Sequence, residues 1–111
     1  MIYRLEASLV QDFRSDAVAH ALRVYPKESC GLVVNGKYFP CRNACDDPTE
    51  GFAIDPRDYL AAYQSGTITA VVHSHPEGQP ASELDLKACQ QSKLVWHIYQ
   101  VPQQQWLTIE A

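Results

Sequence analysis

The stretch TITAVVHSHPEGQPASELD, residues 67 to 85, decides how this chain is read. Thr67 to His75 is a β-branched, apolar run of the kind that fills a strand covered on both faces, so a central place in a sheet is expected for it. Two histidines, His73 and His75, close the run. Residues at i and i+2 project from one face of a strand, so the two imidazoles leave the sheet side by side, and such a pair can hold a metal ion. Hydrogen-bonded histidines at a sheet rim are the alternative that spacing leaves open. After the Gly- and Pro-containing loop PEGQPA, Ser82 and Asp85 stand three apart where a helix is expected to begin. Ser as N-cap with an acid at N3 is an ordinary capping arrangement. Asp85 can also turn an oxygen toward a cation on His73 and His75. Two nitrogens and one oxygen leave a fourth zinc position open, the pattern of a catalytic rather than a structural site.

Working outward, Ile2 to Leu5 alternates like a short strand, and Ser8 with Gln11 forms a capping box for a helix whose apolar side is Phe13, Ala17, Ala21 and Val24. Pro26 closes that helix. Leu32 to Val34 and Lys37 to Phe39 read as a hairpin turning at Asn35-Gly36, a dipeptide suited to a type I′ turn. RNACDDPTEG is loop, and Phe52 with Ile54 reads as a short strand. Asp55, Pro56 and Asp58 fit the N-cap, first-turn proline and first-turn acid of a second helix, with Tyr59, Leu60 and Tyr63 as its buried side and Gly66 as its end. A third helix starts at Ser82, and strands follow at Leu94 to Tyr99 and Trp106 to Ile109. Helices between hairpins around one central strand predict an α/β fold built on a mixed sheet flanked by helices.

The chain has 111 residues, 46% of them hydrophobic, enough for one domain with its own core, so residues 1–111 are expected to form a single unit. A net charge of −4 without a Lys/Arg cluster argues against a nucleic-acid partner. No apolar run approaches the roughly 20 residues that span a bilayer, and the start lacks the order of a signal peptide, so no membrane association and a cytoplasmic protein are expected. Cys30, Cys41, Cys45 and Cys89 are irregularly spaced and are read as reduced structural thiols. His20 and His97 are read as a helix-face and a strand residue.

A metal-activated water needs a base, and several carboxylates are available. Asp46, Asp47 and Glu50 fall in a loop, and Glu77 and Glu83 are expected to be solvated. Glu28 sits between Pro26 and the strand start at Cys30, where a sharp junction fixes its direction. Position alone leaves it open whether Glu28 is a base or a solvated helix-end residue.

PKESCGLVV, AVVHSHP and Ser82-Glu83-Leu84-Asp85 together resemble the JAMM (MPN+) metallopeptidases, whose pattern is a glutamate, then His-Ser/Thr-His-Pro, then Ser-x-x-Asp. YFPCRN, DPRDYL and GTITAVVHSHP extend the likeness to the phage branch, the N-terminal domain of lambda-type tail assembly proteins. The resemblance implies a cytidine-deaminase-like α/β fold, Zn2+ held by His73, His75 and Asp85, Glu28 as the base, and Ser82 as hydrogen-bond donor to the oxyanion. It implies peptide, isopeptide or cell-wall peptide substrates, with phage tail proteins as partners and the virion tail as an alternative location. Ubiquitin is not expected as a substrate, because the chain has no room for the insertions that grip it. In the phage proteins a papain-like cell-wall peptidase follows this domain, so the chain is expected to be a stand-alone form or a trimmed piece. The loop before Ser82 is one residue shorter than the family's usual pattern, with Gly78 and Pro80 available for a tighter path. Two functions are carried forward, a zinc peptidase and a non-catalytic tail-assembly module on the same fold. A metallo-β-lactamase and a deaminase fail on motif spacing.

Overall fold

A computed structural model of the chain describes residues 12–111. The strand expected at Ile2–Leu5 and the helix start at Ser8 lie outside the described residues. The elements are α1 (Asp12–Val24), β1 (Cys30–Val34), β2 (Lys37–Cys41), α2 (Pro56–Ser65), β3 (Ile68–His75), α3 (Glu83–Ser92), β4 (Val95–Gln100) and β5 (Gln105–Ile109). The strands form one mixed sheet in the order β2-β1-β3-β4-β5, with β3 in the middle as its composition predicts. Among the described strands only the β3–β4 pair is parallel, and α3 is the crossover between them. A mixed sheet flanked by helices is thus the fold.

Period-two alternation divides the core between the two faces of the sheet. Val33, Ala70 and Val72 pack with Phe13 and Ala17 of α1 on one face. Cys30, Leu32, Val71 and Trp96 pack with Ala62 of α2 and Cys89 of α3 on the other. Leu32 and Ile98 are completely buried, and each such side chain contributes about 2 kcal/mol of hydrophobic stabilisation. The β1–β2 turn has positive φ at both Asn35 and Gly36, as a type I′ turn requires.

The buried side expected for α2 is a correction. Tyr59, Leu60 and Tyr63 are 41%, 55% and 70% exposed, and Ala62 is the buried contact. The helix packs through a small residue, so its large side chains are rotated outward; Tyr59 and Tyr63 lie along a shallow surface hollow with Ile68 and Leu94. The strand expected at Phe52–Ile54 is reduced to a single bridge between Asn43 and Ile54. The ends of α2 are as the sequence implies, with the Asp55 side chain accepting from Arg57 N at 2.8 Å and Pro56 in the first turn.

All four cysteines are free, and Cys30, Cys41 and Cys89 are buried. Burial pushes the thiols of Cys30 and Cys41 up to about 12, so they are protonated core residues. His20 is buried at the α1 face against Tyr38, with Nδ1 2.5 Å from its hydroxyl oxygen. Among the described residues no helix is long and apolar enough to cross a membrane.

Candidate metal centre

The site sits where β3 ends, on the face covered by α2 and α3. His73 and His75 project from that face with their Nε2 atoms 3.2 Å apart. Ser74 between them points the other way and locks the strand: its Oγ accepts from Ser29 N at 2.8 Å and its own N–H donates to Ser29 O at 3.1 Å. The antiparallel register pairs Cys30 with His73. Continued two residues beyond the strand, it brings Glu28 opposite His75. Glu28 is 8% exposed, and an oxygen of its carboxylate lies within 4.8 Å of ring nitrogens of both histidines.

Asp85 comes from the first turn of α3. Ser82 and Asp85 form a reciprocal capping box, Asp85 N to Ser82 Oγ and Ser82 N to Asp85 Oδ2, both 3.0 Å. The same carboxylate faces the histidines, with Oδ1 3.3 Å from His73 Nε2 and Oδ2 3.3 Å from His75 Nε2. Capping and convergence on the imidazoles therefore coexist in one side chain. The shortened loop reaches because it is folded tightly. Gly78 has φ 81°, its N–H bonds His75 O at 3.0 Å, and its carbonyl accepts from Gln100 Nε2 and Gln103 Nε2, both at 2.9 Å. That turn aims the Gln79 carbonyl at His75 Nδ1, 2.7 Å away. With Nδ1–H donating to Gln79, the lone pair of His75 Nε2 faces the site, the arrangement in which protein-bound imidazoles hold metal.

His73 is oriented differently. Its Nδ1 is buried without a hydrogen-bond partner among the described residues. Ring contacts hold it instead: Phe52 stacks at 4.2 Å and 25°, and Trp96 meets it edge-on at 5.4 Å and 82°. The sequence reading assigned nothing to Phe52 or Trp96 at the site. Nor did it assign Asn43, whose side chain organises the loop before Phe52. Asn43 Nδ2 donates to the carbonyls of Glu28 and Gly51 at 3.1 and 2.9 Å, and Oδ1 accepts from Cys45 N and Ala53 N at 3.0 and 3.1 Å. An Asn within a loop was the available signal, because a side-chain amide can satisfy backbone groups that a loop leaves unpaired.

The electrostatics separate the two carboxylates. For Asp85, burial opposes ionisation, but hydrogen bonds to His73, His75 and the Ser82 backbone outweigh it and hold the group well below the usual carboxylate range. For Glu28 burial wins over the attraction of His75, and the charges of Asp85 and Glu50 push the same way, raising it to about 7. Burial lowers His73; for His75 burial is outweighed by Asp85, Gln79 and Glu28, and its affinity for a proton rises. Two imidazole nitrogens and an ionised carboxylate converging within 3.3 Å are a donor set that suits a borderline divalent cation such as zinc. Above the cluster opens a cleft of about 570 Å³, lined by Glu28, Glu50, Phe52, His75, Ser82, Leu84, Asp85 and Trp96 among others.

A family model described as prokaryotic homologs of the JAB domain matches residues 10–109. The chain belongs to this family. Among relatives of this JAB homolog is the tail tip assembly protein K of Escherichia phage N15, 47% identical over 102 residues, a match covering 86% of the chain. The match covers only 42% of that relative's length. The solution structure of protein DSY2949 from Desulfitobacterium hafniense has the same fold, with a TM-score of 0.69 at 24% identity over 86% of this chain and 76% of that one.

Proposed function

We propose that this JAB homolog is a zinc metallopeptidase that hydrolyses a peptide or isopeptide bond. The observation that carries the reading is the convergence of His73, His75 and Asp85 beside Glu28, in a cleft that Glu28, His75 and Asp85 line. His73, His75 and Asp85 would hold the zinc. Glu28 is assigned as base rather than ligand because Asp85 is the carboxylate kept ionised, whereas Glu28 exchanges a proton near neutral pH. Zinc, when bound, supplies Lewis-acid polarisation of an amide carbonyl and lowers the pKa of water to about 7.

The residues supply the rest. The Glu28 carboxylate accepts the proton of the attacking water on an oxygen and delivers it to the departing amine nitrogen, so the base of the first half-reaction is the acid of the second. Ser82 Oγ accepts from Asp85 N, which leaves its own hydrogen free to donate. Ser82 lines the cleft and directs that hydrogen at the carbonyl oxygen as negative charge develops on it. Phe52 and Trp96 fix the His73 ring and exclude water from that side of the cluster.

The experiment is a peptide, isopeptide and cell-wall peptide panel presented to zinc-loaded protein, chelator-treated protein and zinc-loaded Glu28→Gln. Cleavage that vanishes on chelation and falls roughly 10²- to 10⁴-fold in Glu28→Gln supports the peptidase. The name of the phage relative, a tail tip assembly protein, favours a second reading, an assembly module that binds phage tail proteins and resides in the virion tail. Zinc-loaded protein inert across the whole panel would leave that reading standing alone.

A further inference from the structure

The cleft carries more negative charge than the proposed chemistry uses. Asp85, Glu28 and Glu50 line it, and among the described residues no Lys or Arg does. Glu28 is more than nine-tenths buried, and the cluster it faces already occupies it.

Glu50 has no task in hydrolysis, and its backbone is held firmly beside Glu28. Asn43 Nδ2 bridges the carbonyls of Glu28 and Gly51, and Glu28 N donates to Pro48 O at 2.7 Å. Glu50 N itself donates to Asp47 O at 3.1 Å. The neighbouring Asp47 carboxylate is occupied by Thr49, whose hydroxyl donates to it at 2.6 Å, whereas the exposed Glu50 side chain faces the cleft. The influence of its charge on Glu28 is consistent with that direction. The same cleft is lined by the apolar side chains of Pro80, Leu84, Ala88 and Trp96, and Leu84 stands 79% exposed. A cleft that combines apolar lining with an exposed carboxylate and no Lys or Arg among the described residues fits an aliphatic stem with a cationic tip.

We infer that Glu50 is a specificity residue that selects substrates carrying an amine-terminated, lysine-like aliphatic side chain next to the scissile amide. The inference rests on the metallopeptidase reading, and its test separates the two. Zinc-loaded protein is titrated calorimetrically with three probes, the hydroxamates of lysine, norleucine and glutamate. They share a metal-binding group and differ at the side-chain end.

The expected order is lysine, norleucine, glutamate, with lysine ahead of norleucine by about 5-fold at low salt, the scale of a half-exposed ion pair, and by less at high salt. Glu50→Gln, with unchanged zinc content, erases the lysine advantage, and Glu50→Lys moves glutamate ahead of lysine. Equal binding of the lysine and norleucine probes, or a lysine preference that survives in Glu50→Gln, overturns the inference and leaves the metal centre intact. Failure of all three probes to bind overturns the metal centre and the inference with it.

Discussion

Replacing Glu28 by glutamine should stabilise the metal-free protein while removing its function, because the site holds a carboxyl group where a charge is unwelcome. Burial raises Glu28 from 4.5 to about 7. Below pH 4.5 the folded and unfolded chains both keep the proton, and Glu28 has no effect on stability. Between 4.5 and about 7 the unfolded chain releases its proton first, so folding becomes less favourable as pH rises, and the full penalty is present above about 7. That difference corresponds to roughly 3 kcal/mol at most. Screening by water in the cleft reduces it to about 1–2 kcal/mol. A glutamine amide cannot ionise, so Glu28→Gln should match the parent at pH 4.5 and exceed its melting temperature by about 5–10 °C at pH 8. Circular dichroism melts of chelator-treated parent and Glu28→Gln, stepped from pH 4.5 to 8, measure the gap. A gap that does not change with pH would show that Glu28 is not held in a poorly solvated position, and its assignment as a base tuned to neutral pH would fail with it.

Three further outcomes are expected. Ser82→Asn still caps α3, with a stability change within about a few tenths of a kcal/mol, and stays zinc-loaded, yet loses on the order of 10²- to 10³-fold in turnover; undiminished activity returns Ser82 to capping alone. Phe52→Leu removes the ring stacked on His73 and should weaken zinc binding by about 10-fold in a chelator competition, as loss of a group orienting a ligand does, while Phe52→Tyr restores it. His97 is lowered to about 4, by burial first and then by the charge of Arg14. Its contribution is complete above pH 6.5 and is lost as pH falls toward 4, so the parent should lose about 1–2 kcal/mol more than His97→Gln in urea titrations across that window.

The sheet was legible because its signals are local. The β-branched run of β3, the Asn35-Gly36 turn and the Asp55-Pro56 helix start each determine their own geometry within a few residues. The face of α2 was not, because periodicity points to the largest apolar side chains, and only contact with the sheet reveals that Ala62 is the residue that fits. At the site, His73, His75, Ser82 and Asp85 lie within one short stretch of chain, and two short-range rules, strand alternation and helix capping, bring them together. Glu28 needed the β1–β3 register, a pairing 45 residues apart in sequence at Ser29 and Ser74, so its position made it a candidate and only family resemblance made it the base. Glu50, Phe52 and Asn43 belong to a loop with no periodicity, so their approach to the cleft depends on side-chain hydrogen bonds and ring stacking that no sequence pattern encodes.

Zinc K-edge absorption of the zinc-loaded protein, read with metal content, decides whether the histidine and aspartate cluster holds the metal. About one zinc per chain is expected, with nitrogen and oxygen donors at about 2.0–2.1 Å, imidazole scattering, and loss of the metal in His73→Ala and Asp85→Ala. A sulfur shell at about 2.3 Å, which would move the metal to the cysteines, or full zinc occupancy in both variants would contradict it.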